Sequence, residues 1–225
     1  MRHTACYWSQ AKQPTGIVGY LFGYLMIYIN RHMHEEALDH LDANSGETVL
    51  EIGFGHGATI RSLVHRVAGI KVVGIDVSRV MWQQAYLRNR RAIASGAVEL
   101  HLASVSTMPF ADETFTKVFA INSCQFWPDP EQDLHEVFRV LQPGGQLVLE
   151  VRGPDPVTGR WSWRDYSPEG ITAIREALAQ AGFTQIVTYI KRFRTLAAYT
   201  IKSTKPSVHP TFPSDHLGVS AKRPL

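Results

Sequence analysis

Apolar positions along the chain follow two different periods, and the two take turns. Short apolar runs of strand length recur near 48–52, 71–75, 98–102, 116–121 and 145–151. Between them, apolar residues fall at helical spacing near 57–67, 78–94 and 130–141, as Ile60, Leu63, Val64 and Val67 do in the first of these. The third helix has a legible start. Asp129 can cap its N-terminus, Pro130 suits the first helical position, and Gln132 would complete a capping box, with Leu134, Val137, Phe138 and Leu141 facing a sheet. Ser167-Pro168 opens another helix to about Ala181, which Gly182 would end. Two β-rich runs, 183–190 and 196–201, are joined by a short basic turn and should pair as an antiparallel hairpin. Upstream, helix patterns cover 16–29 and 32–42, the second with Met33, Ala37, Leu38 and Leu41 on one face. Asn44-Ser45-Gly46 is a stop. The expected organisation is a helical lid at 1–43, an α/β domain at 44–204 and a flexible tail at 205–225, where Pro, Ser, His and Gly dominate. No internal repeat is visible.

The most informative stretch is Val49-Leu50-Glu51-Ile52-Gly53-Phe54-Gly55-His56-Gly57. An apolar run ends in an acid, three glycines follow at alternate positions, and a helical pattern begins at once. Glycines suit such a turn because they accept φ > 0 and let a ligand approach the backbone. The helix that follows aims unpaired N–H groups into the same space. Nineteen residues after Gly57, a second strand ends in Asp76, whose carboxylate can accept both hydroxyls of a ribose. This half of the chain reads as a nucleoside-binding Rossmann-like unit. Gly53-x-Gly55-x-x-Ala58 also satisfies the dinucleotide fingerprint, so the glycines alone leave a nicotinamide nucleotide open.

Composition narrows the field. With 225 residues and 44% hydrophobic content, one substantial core can form. A net charge of +3, scattered rather than clustered with aromatics, does not suit a nucleic-acid partner. Cys6 and Cys124 share no metal or redox spacing, which fits free thiols in a reducing cytoplasm. The apolar run 16–29 is shorter than the ~20 residues of a membrane span, so an amphipathic lid over the site is expected, with peripheral membrane contact left open. His32, Glu36 and His40 share a helix face while His34 and Glu35 point elsewhere; a solvated face, not a metal site, is expected there.

The glycine turn keeps further company. Glu51 precedes the first glycine by two residues, Pro109-Phe110-Ala111-Asp112-Glu113-Thr114-Phe115 leads into a strand, and Arg139-Val140-Leu141-Gln142-Pro143-Gly144-Gly145-Gln146-Leu147-Val148-Leu149 closes the pattern. This ordered set, from about Gly46 to Arg152, resembles the class I S-adenosylmethionine-dependent methyltransferases, especially the small-molecule branch with ubiquinone-biosynthesis-type enzymes. The resemblance implies an α/β fold: a Rossmann-like, mostly parallel seven-stranded sheet, helices on both faces, and one antiparallel edge strand in the C-terminal hairpin. It implies S-adenosylmethionine as cofactor, with Glu51 near the methionyl amine, Gly53, Gly55 and Gly57 along the ligand, Asp76 on the ribose and Val77 against the adenine.

Ala103-Ser104-Val105-Ser106-Thr107-Met108-Pro109-Phe110 aligns with the family's usual Gly-Asp-Ala-Glu-Ala-Leu-Pro-Phe. Ser104, next to Val105, thus stands where an aspartate normally accepts from the adenine amino group, and its hydroxyl is a weaker, neutral acceptor. Asn122 is placed near the sulfonium or the acceptor. Gln125, Phe126, Trp127 and Trp163 would line the acceptor pocket, with Trp161 and Tyr166 in the same loop as Trp163; packing beneath the loops is the alternative for these aromatics. The implied reaction is methyl transfer to a small apolar or aromatic molecule. No general base is singled out. Two other readings stand beside it: an NAD(P)-dependent oxidoreductase, weakened by the lack of a Tyr-x-x-x-Lys pair, and a non-catalytic cofactor-binding protein.

Overall fold

The computed structural model describes residues 31–160, 165–193 and 197–207. A helix over 31–41 (α1) is followed by β1 (Thr48–Ile52), α2 (Ala58–Arg66), β2 (Lys71–Asp76), α3 (Arg79–Ala94), β3 (Val98–Leu102) and β4 (Phe115–Ile121). Then come α4 (Pro130–Val140), β5 (Leu141–Gly153), α5 (Pro168–Gln180), β6 (Thr184–Arg192) and β7 (Ala197–Thr204). The seven strands form one sheet in the order β3-β2-β1-β4-β5-β7-β6. β1 to β5 are parallel, and β7 runs antiparallel to both β5 and β6. The hairpin is therefore present, but its antiparallel strand is β7, one place in from the edge; β6 is the edge itself.

Strand alternation sorts the side chains onto two faces. Val49, Val72, Phe119 and Val148 pack with Leu38 and Leu41 of α1, Ile60 and Leu63 of α2, and Ala85 of α3. Leu50, Val73, Val118 and Leu149 pack on the other face with Leu134 and Val137 of α4 and Ile171 and Leu178 of α5. The same alternation places Glu51 and Glu150 on the α1–α2 side.

Local chemistry explains the ends of the elements. Asp129 caps α4 by accepting from Gln132 N at 3.2 Å, but the return bond comes from Asp133, whose carboxylate accepts from Asp129 N at 3.1 Å. The expected box is therefore closed one residue later than Gln132. Ser167 caps α5 through Gly170 N. α4 passes straight into β5 at Leu141, four residues before the expected strand start, and Gly144-Gly145 lie within a register shift against β4. A Cβ on Gly145 would come within 2.8 Å of Gln142 O.

Lys205, which composition places at the head of a tail, is buried, and its Nζ donates to Leu141 O at 2.7 Å. The expected lid run 16–29 lies outside the described residues. No helix among the described residues is long and apolar enough to cross a membrane.

Candidate active site

Strand order reverses at β1: β2 and β3 lie to one side of it, β4 and β5 to the other. In open α/β sheets the crevice at such a switch point, outside the carboxyl ends of the strands, is where ligands bind. The glycine turn sits at that point. Gly53 N and Phe54 N donate to Ile75 O at the end of β2, and Gly55 N donates to Asp76 Oδ2 at 2.9 Å. The three glycines answer different demands. A Cβ on Gly53 would meet Ser123 Cβ at 2.6 Å and one on Gly57 would meet Ala85 Cβ at 2.7 Å, whereas one on Gly55 would meet nothing within 4 Å. Gly53 and Gly57 thus let chain segments touch, and Gly55 faces open space. Gly57 enters α2 in a left-handed conformation and supplies no side-chain cap, so among the described residues the first turn of α2 opens toward the crevice, with Ala58 N donating to His56 Nδ1 at 3.2 Å.

Two carboxylates frame this turn. Asp76 is half-buried; burial pushes its carboxyl up to about 6, partly offset by bonds from the Ser78, Gly55 and Val77 N–H groups. Ser78 caps α3 itself through Met81 N, so that task does not fall to Asp76. Glu51 is 2% exposed, and its Oε2 is buried without a hydrogen-bond partner. Desolvation holds it well above the usual carboxylate range, with a bond from Thr59 opposing and the Asp76 charge adding to the shift. Thr59 Oγ1 in turn lies 2.9 Å from His34 Nδ1 on α1. His56, within the glycine turn, has its Nδ1 3.0 Å from Arg88 Nη1, and burial with the Arg88 charge lowers it to about 3. Buried polar atoms are normally satisfied. Of eight unpartnered ones among the described residues, those of Glu51, Gln125, Trp127 and Glu150 all belong to strands or loops at the carboxyl edge.

Comparison with known proteins agrees with this geometry. Residues 50–149 match the methyltransferase domain family. The uncharacterized methyltransferase YdaC of Bacillus subtilis is 26% identical over 189 residues, which is 82% of this chain and 98% of YdaC. Methyltransferase GfsG of Streptomyces halstedii is 36% identical over 117 residues, but these are only 52% of this chain and 42% of GfsG. Among solved structures, Haemonchus contortus phosphoethanolamine N-methyltransferase 2, in complex with phosphomonomethylethanolamine and S-adenosylhomocysteine, superposes with a TM-score of 0.69 at 16% identity, over 83% of this chain and 57% of that one. This chain carries a methyltransferase domain over residues 50–149, with S-adenosylmethionine as its methyl donor.

In this methyltransferase the other expected site residues separate into two groups. Val77 is 45% exposed beside Asp76, an apolar surface at the crevice. Ser104 is half-buried; its hydroxyl accepts from Ser106 N at 3.2 Å and donates to Ser106 Oγ at 3.3 Å. Asn122, directly after β4, holds a left-handed φ of 48°, which is uncommon for a side chain larger than glycine, and its Nδ2 meets Met33 Sδ of α1 at 3.2 Å. Gln125 donates to Asn122 O at 2.8 Å and leaves its Oε1 unpartnered. Phe126 is half-buried.

Two residues pack against the core. Val105 is 5% exposed within the core on the α4–α5 face, so its side chain is withdrawn from the crevice. Trp127 packs against that same core, although its Nε1 finds no acceptor. Tyr166 also packs there, its hydroxyl 3.5 Å from Cys124 Sγ. Trp161 and Trp163 lie outside the described residues.

Sequence patterns did not single out Thr59, His56, Arg88 or Glu150. For Glu150 the signal was present, a lone acid inside an apolar strand. The row His32, Glu36 and His40 is only partly solvated, with His32 exposed and Glu36 and His40 half-buried. Glu36 pairs with Lys191, His40 stacks on Tyr189 at 4.3 Å between centroids, and His32 stacks on Phe193 at 5.2 Å.

Proposed function

We propose that this methyltransferase acts on a small apolar or aromatic acceptor, in the manner of the ubiquinone-biosynthesis-type branch, and that the crevice at the β1–β4 switch point holds S-adenosylmethionine. The arrangement of the glycine turn carries the reading: an unpartnered buried carboxylate oxygen, an open helix N-terminus and a second carboxylate stand in a row, complementary to an ammonium, a carboxylate and a ribose. In this reading Glu51 receives the methionyl ammonium, and Gly53, Gly55 and Gly57 shape the turn at the entrance of α2. Asp76 accepts from the ribose hydroxyls, Val77 covers the adenine and Ser104 accepts from its amino group. Val105 supports this segment from the core.

When bound, S-adenosylmethionine supplies a methyl group already activated by its sulfonium. The protein's own contribution is alignment and dryness. Asn122, held in its constrained conformation after β4, would orient the reacting end, and such orientation can lower a barrier by roughly 7–11 kcal/mol. Gln125, Phe126, Trp127 and, by expectation, Trp163 would form the acceptor side, where apolar walls exclude water. Residues 1–43, with the apolar run 16–29, would act as the lid. The buried free thiol of Cys124 supports a cytoplasmic setting.

The test is S-adenosylhomocysteine release over a panel of phenols, quinols, charged metabolites, RNA and protein. Flat apolar acceptors should be preferred. Trp127→Phe, which keeps the packing, should cost about 1–3 kcal/mol in acceptor kcat/KM while cofactor affinity holds. Release with RNA or protein alone would overturn the acceptor class, and lost cofactor affinity in Trp127→Phe would take that residue off the acceptor side.

A further inference from the structure

Three side chains from three elements stand in line behind the glycine turn: Glu51 at the end of β1, Thr59 in the first turns of α2, and His34 on α1. Thr59 Oγ1 is 2.9 Å from His34 Nδ1, and its hydroxyl lies close enough to the Glu51 carboxyl to oppose the effect of burial there. A hydroxyl has one proton to donate and lone pairs to accept with, so the state of one neighbour dictates what the other must be. With Glu51 ionised, Thr59 donates to the carboxylate and can only accept from His34, which must then carry its proton on Nδ1. With Glu51 protonated, Oε2 offers that proton no acceptor, so the proton belongs on the oxygen facing Thr59. Thr59 then donates to a bare His34 Nδ1, and the ring proton sits on Nε2.

We propose that Glu51, Thr59 and His34 form a relay in which an ammonium group arriving at Glu51 switches the tautomer of His34 and so couples α1 to occupation of the cofactor crevice. The inference rests on the reading of Glu51 as the ammonium acceptor. The switch balances: Glu51 loses one proton to solvent, and His34 exchanges an Nε2 proton for one on Nδ1 without net change. The surroundings suit it. Burial and the nearby Asp76 charge favour the protonated acid before a cation arrives. His34 is neutral, since burial lowers it to about 4. The other groups facing the relay are His56, whose ring stacks on His34 at 6.1 Å, and Arg88 behind it.

Nitrogen-15 NMR of the histidine-labelled full chain, with the His34 signal identified by its loss in His34→Gln, tests this directly. Saturating S-adenosylhomocysteine should move the His34 proton from Nε2 to Nδ1. Methylthioadenosine, which lacks the amino-acid moiety, should leave it on Nε2. Thr59→Val should bind S-adenosylhomocysteine roughly tenfold more weakly and show no tautomer change, and Thr59→Ser should restore both. Calorimetry in buffers of different ionisation enthalpy should find up to about one proton released on binding, and none from this source in Glu51→Gln. An unchanged His34 tautomer at saturation overturns the relay while leaving the Glu51 reading intact. Undiminished S-adenosylhomocysteine affinity in Glu51→Gln overturns the Glu51 reading itself.

Discussion

Asp76 accepts backbone N–H groups on both carboxylate oxygens, from Gly55 at 2.9 Å and Ser78 at 2.8 Å, with Val77 N–H beside them. An ionised carboxylate offers about four acceptor sites, so acceptor capacity remains for a ribose hydroxyl. Asp76→Ala should weaken S-adenosylhomocysteine binding by about 1.5–3 kcal/mol, the scale of hydrogen bonds to a charged group. Titration calorimetry reads this, and unchanged affinity in a folded variant would remove Asp76 from the site. Asp76 and Glu51 were legible because each ends an apolar run before a turn, where an acid has no packing reason to stand. The core packing of Val105 and Trp127 was not legible. Both lie in loops, where no period says which apolar side chain turns toward the core and which toward the crevice.

Within the elements, the Pro109–Phe115 motif proves to be a clamped segment. Arg139 of α4 donates to Phe110 O at 2.8 Å and to Asp112 at 2.6 Å, while Glu136 accepts from Met108 N at 2.9 Å and pairs with Arg139 at 2.7 Å. The Glu136 pair and the Met108 bond together hold its carboxyl below the usual range. Arg139→Met keeps most of the stem but deletes the fork, and should destabilise the protein by about 1–3 kcal/mol. Hydrogen exchange should speed at Met108 N in particular. Equal exchange in the variant would show that the segment is held by packing of Phe110 on Phe115 alone. The spacing from Asp112 to Arg139 is regular sequence information, yet the contact spans 27 residues and no local rule foretells it. The same holds for Asp133 closing the α4 cap: Gln132 and Asp133 are both plausible from composition, and the side-chain rotamers of the folded helix select between them.

For the whole molecule, Glu150 is the buried acid with the broadest consequence. It is 0% exposed within β5, opposite the last residue of β4, bonded by the Thr200 hydroxyl of β7, and faced by Glu36 of α1 and Lys191 of β6. Burial pushes it up to about 8 from an ordinary 4.5. Because the folded value is the higher one, its contribution is full below about pH 4.5, falls as pH rises, and is gone above about pH 8. Glu150→Gln keeps an acceptor for Thr200 and carries no such proton. Urea unfolding at several pH values should therefore show the variant gaining on the wild type between about pH 4.5 and 8. A difference that does not vary with pH would mean that Glu150 is ionised in the fold.

What the sequence by itself determined are the elements, the glycine turn and the methyltransferase domain, because periodicity, caps and turn residues are properties of short windows of chain. What only the tertiary structure decided is how distant windows meet. Entry of β7 between β5 and β6 depends on sheet-wide hydrogen bonding rather than on the hairpin's own sequence. The Thr59–His34 bond joins residues 25 apart and the Glu36–Lys191 pair joins residues 155 apart. Burial, and with it the protonation of Glu51 and Glu150, comes from those long-range contacts, since a carboxyl group's ionisation follows the water it loses and the charges brought beside it in the fold.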